Sequence, residues 1–278
     1  MLIGPVAAAP YNVPVIHFFG GAVTEGAIDE LIRHAITKMS HFHFVAIDEY
    51  RKRLIQLGEE KWRIKKIGIH ELEFLQNLKM IKKENLSRQH NFNFFDPYLL
   101  VTYHPVTLEL NQLDYQLNSL AIALKKININ VIFTYPNADP GYDKIIKFIN
   151  KKFKDSKKYK IIKNAGSTLY ANLITHSQAL VGNSSSGIVE AASFKKPAVN
   201  IGTRQNGKFM PRNVINTGYI SKDILNGIKL ALSSKFSKRI KNLTNPYESN
   251  ISTKKIVSFI LNLKINDKLL RKKFIDKK

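Results

Sequence analysis

Short apolar runs alternate with longer stretches of helical period along most of this chain. VPVIHFF (13–19) reads as a buried strand, stopped by Gly20 and Gly21. AIDELIRHAITKMS (27–40) follows, with Ile28, Leu31, Ile32, Ala35, Ile36 and Met39 on one helical face. FHFVAI (42–47) is the next strand, DEYRKRLIQLG (48–58) a helix closed by Gly58, and RIKKIGI (63–69) a third strand. Such alternation predicts parallel strands with helices packed on their faces.

From about residue 75 to 95 the pattern lapses into polar and charged positions, which reads as a crossing between two domains. YLLVTY (98–103) then restarts the alternation, turns at His104-Pro105, and leads to a helix from about Glu109 to Lys126. NVIFTY (130–135), KYKIIKN (158–164), ALVGN (179–183) and PAVNI (197–201) read as further strands. GYDKIIKFINKKF (141–153) and STLYANLITHS (167–177) lie between them as helices. SKDILNGIKLALSS (221–234) and STKKIVSFILNLK (252–264) read as the last two helices. The lysine-rich tail beyond Lys264 reads as exposed and poorly fixed. The expected class is α/β with two parallel-sheet domains, residues 1–90 and 91–250, followed by a C-terminal helix and basic tail, 251–278.

The stretch VGNSSSGIVEAASF (181–194) carries the most chemistry. It predicts a strand, a tight small-residue turn and a helix beginning at the serines. The first N–H groups of a helix lack intrahelical partners and suit an anion, phosphate above all. Ser184, Ser185 and Ser186 add hydroxyls, Gly187 admits close approach, and Glu190 can accept from paired ribose hydroxyls. Ser-Ser-Ser-Gly also serves as a plain helix cap, and spacing alone does not choose. In parallel sheets ligands gather outside the carboxyl ends of strands. Gly20-Gly21, His104, Asn137, the serine turn and Arg204 all fall there.

The net charge of +23, from 44 Lys+Arg against 21 Asp+Glu, raises nucleic-acid binding as a reading. The excess lysine is spread thinly and no zinc-finger, RNP-type or basic-zipper pattern accompanies it, so nucleic acid is not expected as a partner. There is no cysteine, hence no disulfide framework or thiolate metal site. No apolar run approaches the roughly 20 residues that span a bilayer. The N-terminal MLIGPVAAAP lacks the basic region of a signal peptide. A soluble cytoplasmic protein without membrane contact is expected, with homo-oligomerisation left open.

HFFGGAVTEGAIDELIRHAITKMSHFHF, VTYHPVT, YPNADPG, VGNSSSGIVEAASFKKPAVNIGTRQNGK and NPYESN together resemble the hydrolysing UDP-N-acetylglucosamine 2-epimerase family. The likeness is greatest to the branch serving sialic- and legionaminic-type acids. It implies a glycosyltransferase-B fold with a UDP-sugar held between two Rossmann-like domains, the UDP chiefly by the second. It implies that His104 and Arg204 face the diphosphate, that Ser184 and Ser185 bind it, and that Glu190 holds the ribose. Asn137 belongs to the nucleotide pocket, and Arg33 and His34 lie near the sugar. His104, Arg33 and His34 join Asp29 as the catalytic set. The implied reaction removes the sugar C2 proton as UDP departs, then adds water with C2 inverted; no metal or nicotinamide takes part.

Two departures bear on catalysis. The family reads Gly-Gly-Glu where this chain has Gly20-Gly21-Ala22. A second family carboxylate, and the βα units around it, precede the position of Met1, so the expected first domain is incomplete, with about three strands, one edge and one face bare. Asp29 remains of the acidic set, and Glu25 matches an ordinary family position. A UDP-sugar-binding protein without turnover is the alternative reading.

Overall fold

The computed structural model describes residues 2–26, 29–154, 156–249 and 251–276. Its strands form two wholly parallel sheets. The first contains β1 (Ile16–Phe18), β2 (Phe42–Val45) and β3 (Ile64–Lys66), with β2 in the middle. Ile16 is in register with Phe42, and His43 with Ile64. The outer edge of β1 has no partner strand among the described residues, and Phe18 and Phe19 beside it are partly exposed.

The second sheet has six strands in the order β6-β5-β4-β7-β8-β9. These are β4 (Tyr98–Thr102), β5 (Asn130–Thr134), β6 (Tyr159–Ile162), β7 (Ala179–Gly182), β8 (Ala198–Ile201) and β9 (Val214–Thr217). Both faces are covered, which is why the strands read as continuous apolar runs. Leu99, Val101, Val131, Phe133 and Val181 point to one core, with the helices Leu113–Lys125, Tyr142–Phe153 and Ser221–Ala231. Tyr98, Leu100, Ile132 and Leu180 point to the other, with Leu173 and Ile174 of the helix Gly166–His176.

Several expectations from sequence need correction. The helix Asp29–Met39 buries Ile36, but Leu31 is 77% exposed, and Ile28 lies outside the described residues. The polar stretch near residues 75–95 holds the helix Lys83–His90, and the helix His70–Gln76 ends at its start. Leu86, Phe92 and Phe94 join the core of the second sheet, so this stretch also covers a face of that sheet. The helix expected at the serines is a 3-10 turn, Ser185–Gly187, then a four-residue helix, Glu190–Ser193. The helices Ile3–Ala8 and Ser234–Ile240 and strand β9 had no strong periodic signal.

The C-terminal helix Thr253–Leu261 returns to the first sheet, where Ile256 packs with Phe42, Phe44 and Ile67. The tail beyond it is not loose. Buried Arg63 donates to the carbonyls of Leu269 (2.7 Å), Lys268 (2.7 Å) and Arg271 (3.2 Å), and Leu269 is buried. No helix among the described residues is long and apolar enough to cross a membrane.

The two sheets share a core in which Val45, Ile47, Tyr50 and Leu54 meet Ile188, Val189 and Tyr247. Ile69 N–H donates to Tyr247 O at 2.7 Å across that seam. The seam fixes the first sheet against the serine turn and thereby shapes the cleft between them.

Candidate functional site

The strand order of the second sheet reverses between β4 and β7, which opens a crevice at their carboxyl ends. Gly182 makes that approach possible: its φ is +136°, and a Cβ there would sit 1.9 Å from Thr102 O. Immediately beyond it, buried Asn183 locks the two exit loops together. Its Oδ1 accepts from His104 N–H (2.7 Å) and its Nδ2 donates to His104 O (2.8 Å).

His104 is buried on this clamp. Its Nδ1 accepts the backbone N–H of Asn137 at 3.1 Å. Burial, and then the nearby Arg204 guanidinium, push its pKa down to about 3. The ring is therefore neutral at pH 7 with its proton on Nε2, an uncharged donor.

Arg204 leaves the end of β8 and is also buried. One guanidinium nitrogen donates to Asn183 O at 3.4 Å, and another meets Asp139 Oδ2 at 3.4 Å. Burial lowers its pKa, opposed by the carboxylates of Asp139 and Asp29. Gln205 Nε2 reinforces the loop through Asn183 O at 2.9 Å.

In the serine turn, Ser184 Oγ accepts from Ser186 N (3.4 Å) and Ser186 Oγ (3.3 Å), while Tyr170 OH bonds Ser186 Oγ. Part of the donor set expected to face a ligand is thus engaged in capping. The Ser184 and Ser185 side chains still line the cleft. Half-buried Glu190 follows; burial raises its carboxyl above the ordinary range.

The first sheet supplies the opposite wall. Arg33 donates to Ala22 O (3.1 Å), Glu30 Oε2 (2.9 Å) and Thr24 Oγ1 (3.4 Å), and Thr24 N–H donates to the same Glu30 oxygen (2.7 Å). Arg33 and Glu30 thus hold the loop that follows Gly20-Gly21. Ala22 itself is buried among Val45, Tyr50 and Val189.

The cleft between the walls measures about 890 Å³ and brings together Asp29, Arg33, His104, Asn137, Ser184, Ser185, Glu190 and Arg204. His34, expected near the sugar, is not among its lining residues; its Nε2 is tied to Glu30 Oε1 at 2.8 Å. A smaller annex of about 260 Å³ reaches from Arg33, Glu71 and Lys208 to Ala22 and Tyr50.

Among the polar residues here that sequence reasoning missed are Asn183, Asp139, Glu71 and Lys208. Asn183 and Asp139 sit inside GNSSS and PNADPG, stretches already singled out, and Lys208 ends GTRQNGK. Glu71 had no local signal: it lies just ahead of the polar lapse, on the short helix His70–Gln76 that the periodicity does not mark. Lys208 donates to Gln205 Oε1 at 3.2 Å, and burial, with Arg33 next, pushes its pKa down to about 8.

Comparison with known proteins agrees with this architecture. The family profile described as UDP-N-acetylglucosamine 2-epimerase matches residues 1–261. A GDP/UDP-N,N'-diacetylbacillosamine 2-epimerase (hydrolyzing) of Campylobacter jejuni is 37% identical over 267 residues, covering 95% of this chain and 69% of that protein. The polysialic acid biosynthesis protein P7 of Escherichia coli is 36% identical over 244 residues, covering 87% of this chain and 62% of that protein. This chain is thus shorter than either relative.

The crystal structure of UDP-GlcNAc 2-epimerase from Neisseria meningitidis bound to UDP-GlcNAc superposes with a TM-score of 0.78 at 18% identity. It covers 94% of this chain and 73% of that one, and supports the glycosyltransferase-B type of fold. With the family profile matched over nearly its whole length, the chain belongs to the UDP-N-acetylglucosamine 2-epimerase family.

Proposed function

We propose that this chain binds a UDP-sugar in the cleft and that its chemistry is hydrolysing 2-epimerisation. The substrate is UDP-N-acetylglucosamine or a diacetamido relative; the products are UDP and the free 2-epimeric sugar, for sialic-type acid synthesis. The observation that carries the reading is the convergence of His104, Arg204 and the serine turn on one cleft faced by Asp29 and Arg33. The names of the Campylobacter and Escherichia relatives supply the substrate class and pathway. The proposed setting is cytoplasmic.

In this reading the diphosphate lies over the β4–β7 crevice. Arg204 provides charge, His104 Nε2–H a neutral donor, and Ser184 and Ser185 hydroxyl and backbone donors. Glu190 takes the ribose hydroxyls and the 91–250 segment forms the nucleotide unit. A carboxylate, for which Asp29 is the candidate, accepts the C2 proton as the C1–O bond to UDP breaks. Water then adds hydroxyl to C1 and a proton to the opposite face of C2. Arg33 holds the wall against which the sugar rests.

A specific observation favours a second reading, UDP-sugar binding without turnover. Ala22 stands where the family resemblance calls for glutamate, and its methyl group is packed in a core. Incubation with UDP-N-acetylglucosamine and with a diacetamido nucleotide sugar separates the two. UDP release with a 2-epimeric sugar visible by NMR supports turnover, whereas saturable binding with no release supports the second reading. Absence of UDP binding overturns both.

A further inference from the structure

Beneath the loop that presents Arg204 lies a polar cluster that the chemistry above does not use. Glu109, on the exit from β4, accepts from Tyr219 OH (2.6 Å), Gln116 Nε2 (2.9 Å) and Thr203 Oγ1. Tyr219, on the exit from β9, accepts in turn from Thr203 N–H at 3.1 Å. Tyr103 OH, fully buried, donates to Gln116 Oε1 at 3.0 Å and fixes that amide. One carboxylate therefore ties the ends of β4, β8 and β9 through hydrogen bonds to side chains from three elements.

The packing leaves this cluster little freedom. Gly202 has φ of +74°, and a Cβ on it would lie 2.0 Å from the Tyr219 ring, so the loop turns directly against that ring. On its other side, a Cβ on Gly26 would lie 2.6 Å from Arg204 Cα. Arg204 is thus held between the first-sheet loop and the Glu109 cluster. Its own side-chain contacts are long, 3.4 Å to Asn183 O and 3.4 Å to Asp139 Oδ2. Burial, strengthened by the Glu109 charge, raises the Tyr219 phenol above its ordinary pKa, so the phenol remains a donor.

From this arrangement we infer that Glu109 is a positioning residue: through Thr203 and Tyr219 it fixes the loop that aims Arg204 into the cleft. The inference rests on the nucleotide reading only for what Arg204 meets there. Glu109 acts through Thr203 and does not itself touch the ligand. A charged acceptor suits the place because each of its three partners donates, and a carboxylate can accept them all. An amide at 109 turns a donor toward one of them and leaves a half-satisfied network.

The test uses the full chain and reads loop and nucleotide separately. Hydrogen exchange of peptides covering 202–208, without ligand, is compared in wild type, E109Q, T203V and T203S. E109Q and T203V are expected to speed exchange there about tenfold or more, with β4 and β5 unchanged, while T203S keeps the hydroxyl and behaves as wild type. If E109Q loses cooperative unfolding, T203V decides, since it leaves the carboxylate in place. Unchanged exchange in both E109Q and T203V overturns the inference. UDP calorimetry adds the functional arm: E109Q weakens binding about tenfold, and E109Q/R204A binds no worse than R204A alone. Fully additive losses overturn the coupling to Arg204. A wild-type chain that binds no UDP removes the nucleotide reading, and the exchange result still decides the brace.

Discussion

Lys272 Nζ lies 2.7 Å from Glu59 Oε2, an ion pair that fastens the C-terminal tail to the first sheet. The Glu59 side chain is wholly buried and also meets Lys38 (2.8 Å) and His43 (3.2 Å). Lys272 in addition donates to the carbonyls of Thr37, Lys38 and Ser40. Breaking a buried pair leaves the remaining charge poorly compensated. Lys272→Met is therefore expected to lower the unfolding free energy by about 3 kcal/mol. Urea unfolding measures it; a loss under about 0.5 kcal/mol, the level of an exposed pair, would mean that the tail is not fastened.

The same cluster sets a pH dependence. Hydrogen bonds from His43, Lys272 and Lys38 outweigh burial and hold the Glu59 carboxyl down at about 2. Its contribution is complete above the unfolded carboxylate range and is lost as pH falls toward 2. That amounts to about 3 kcal/mol for a group so displaced. His17 is pushed down to about 4, chiefly by burial and then by His43, and burial lowers His43 as well. The unfolded chain binds those protons first, so stability also falls as pH drops below 6.5. Unfolding free energy is expected to decline steadily from pH 7 to 3. A flat profile across that window refutes the assignment.

The sequence pattern conveyed the parallel α/β class because strands covered on both faces leave uninterrupted apolar runs, as YLLVT and NVIFT do. It also conveyed the strand-end positions of His104, Asn137, the serine turn and Arg204. It failed where long-range contacts supply the stability. Leu86 is buried from within a segment of lysine and asparagine, and Arg63 captures a tail whose composition looks like solvent-facing chain. The tie of the His34 ring to Glu30, one helical turn earlier, is likewise set by the folded helix. Glu109 had no local signal for its role, and Asn183 only its place in GNSSS; what each does depends on partners far along the chain, Tyr219 and His104.

The tautomer of His104 can be checked directly. Since Asn137 N–H donates to Nδ1 and burial keeps the ring neutral, its imidazole nitrogens should not titrate between pH 5 and 8. Long-range ¹H–¹⁵N spectra are expected to show the proton on Nε2 throughout. His104→Ala should weaken UDP about tenfold or more by removing that donor. A midpoint near 6.5 would overturn the neutral-donor role.

Lys208 gives a prediction of opposite sign. Burial, followed by the Arg33 charge, lowers its pKa to about 8, so near that pH much of it is neutral in the free chain. An anionic diphosphate entering the cleft favours the charged form and raises the pKa. UDP binding at pH 8 should take up protons, seen as a dependence of the calorimetric enthalpy on buffer ionisation enthalpy. Lys208→Met should abolish the uptake, and uptake that survives this change assigns the proton elsewhere.

The last prediction concerns turnover. Inverting C2 requires one group to remove a proton from one face and another to return it to the opposite face, each contributing about 10²–10⁴-fold. Asp29 lines the cleft, but position 22 offers only a buried methyl group, with Arg33 donating to its carbonyl. Release of UDP by this chain is accordingly expected to be slower by about 10²–10⁴-fold than that of a relative with glutamate at this position, while UDP itself still binds. Arg204→Ala should cost about 1.5–3 kcal/mol of that binding, since it removes a charge-assisted contact. Asp29→Asn should cost little binding, because its proposed work is on the sugar proton. A coupled assay for UDP release, run beside calorimetry on the same preparations, tests both halves. Ready release by the unmodified chain, abolished in Asp29→Asn, would show that no carboxylate at position 22 is needed and that another cleft group, Glu71 or Lys208, moves the second proton.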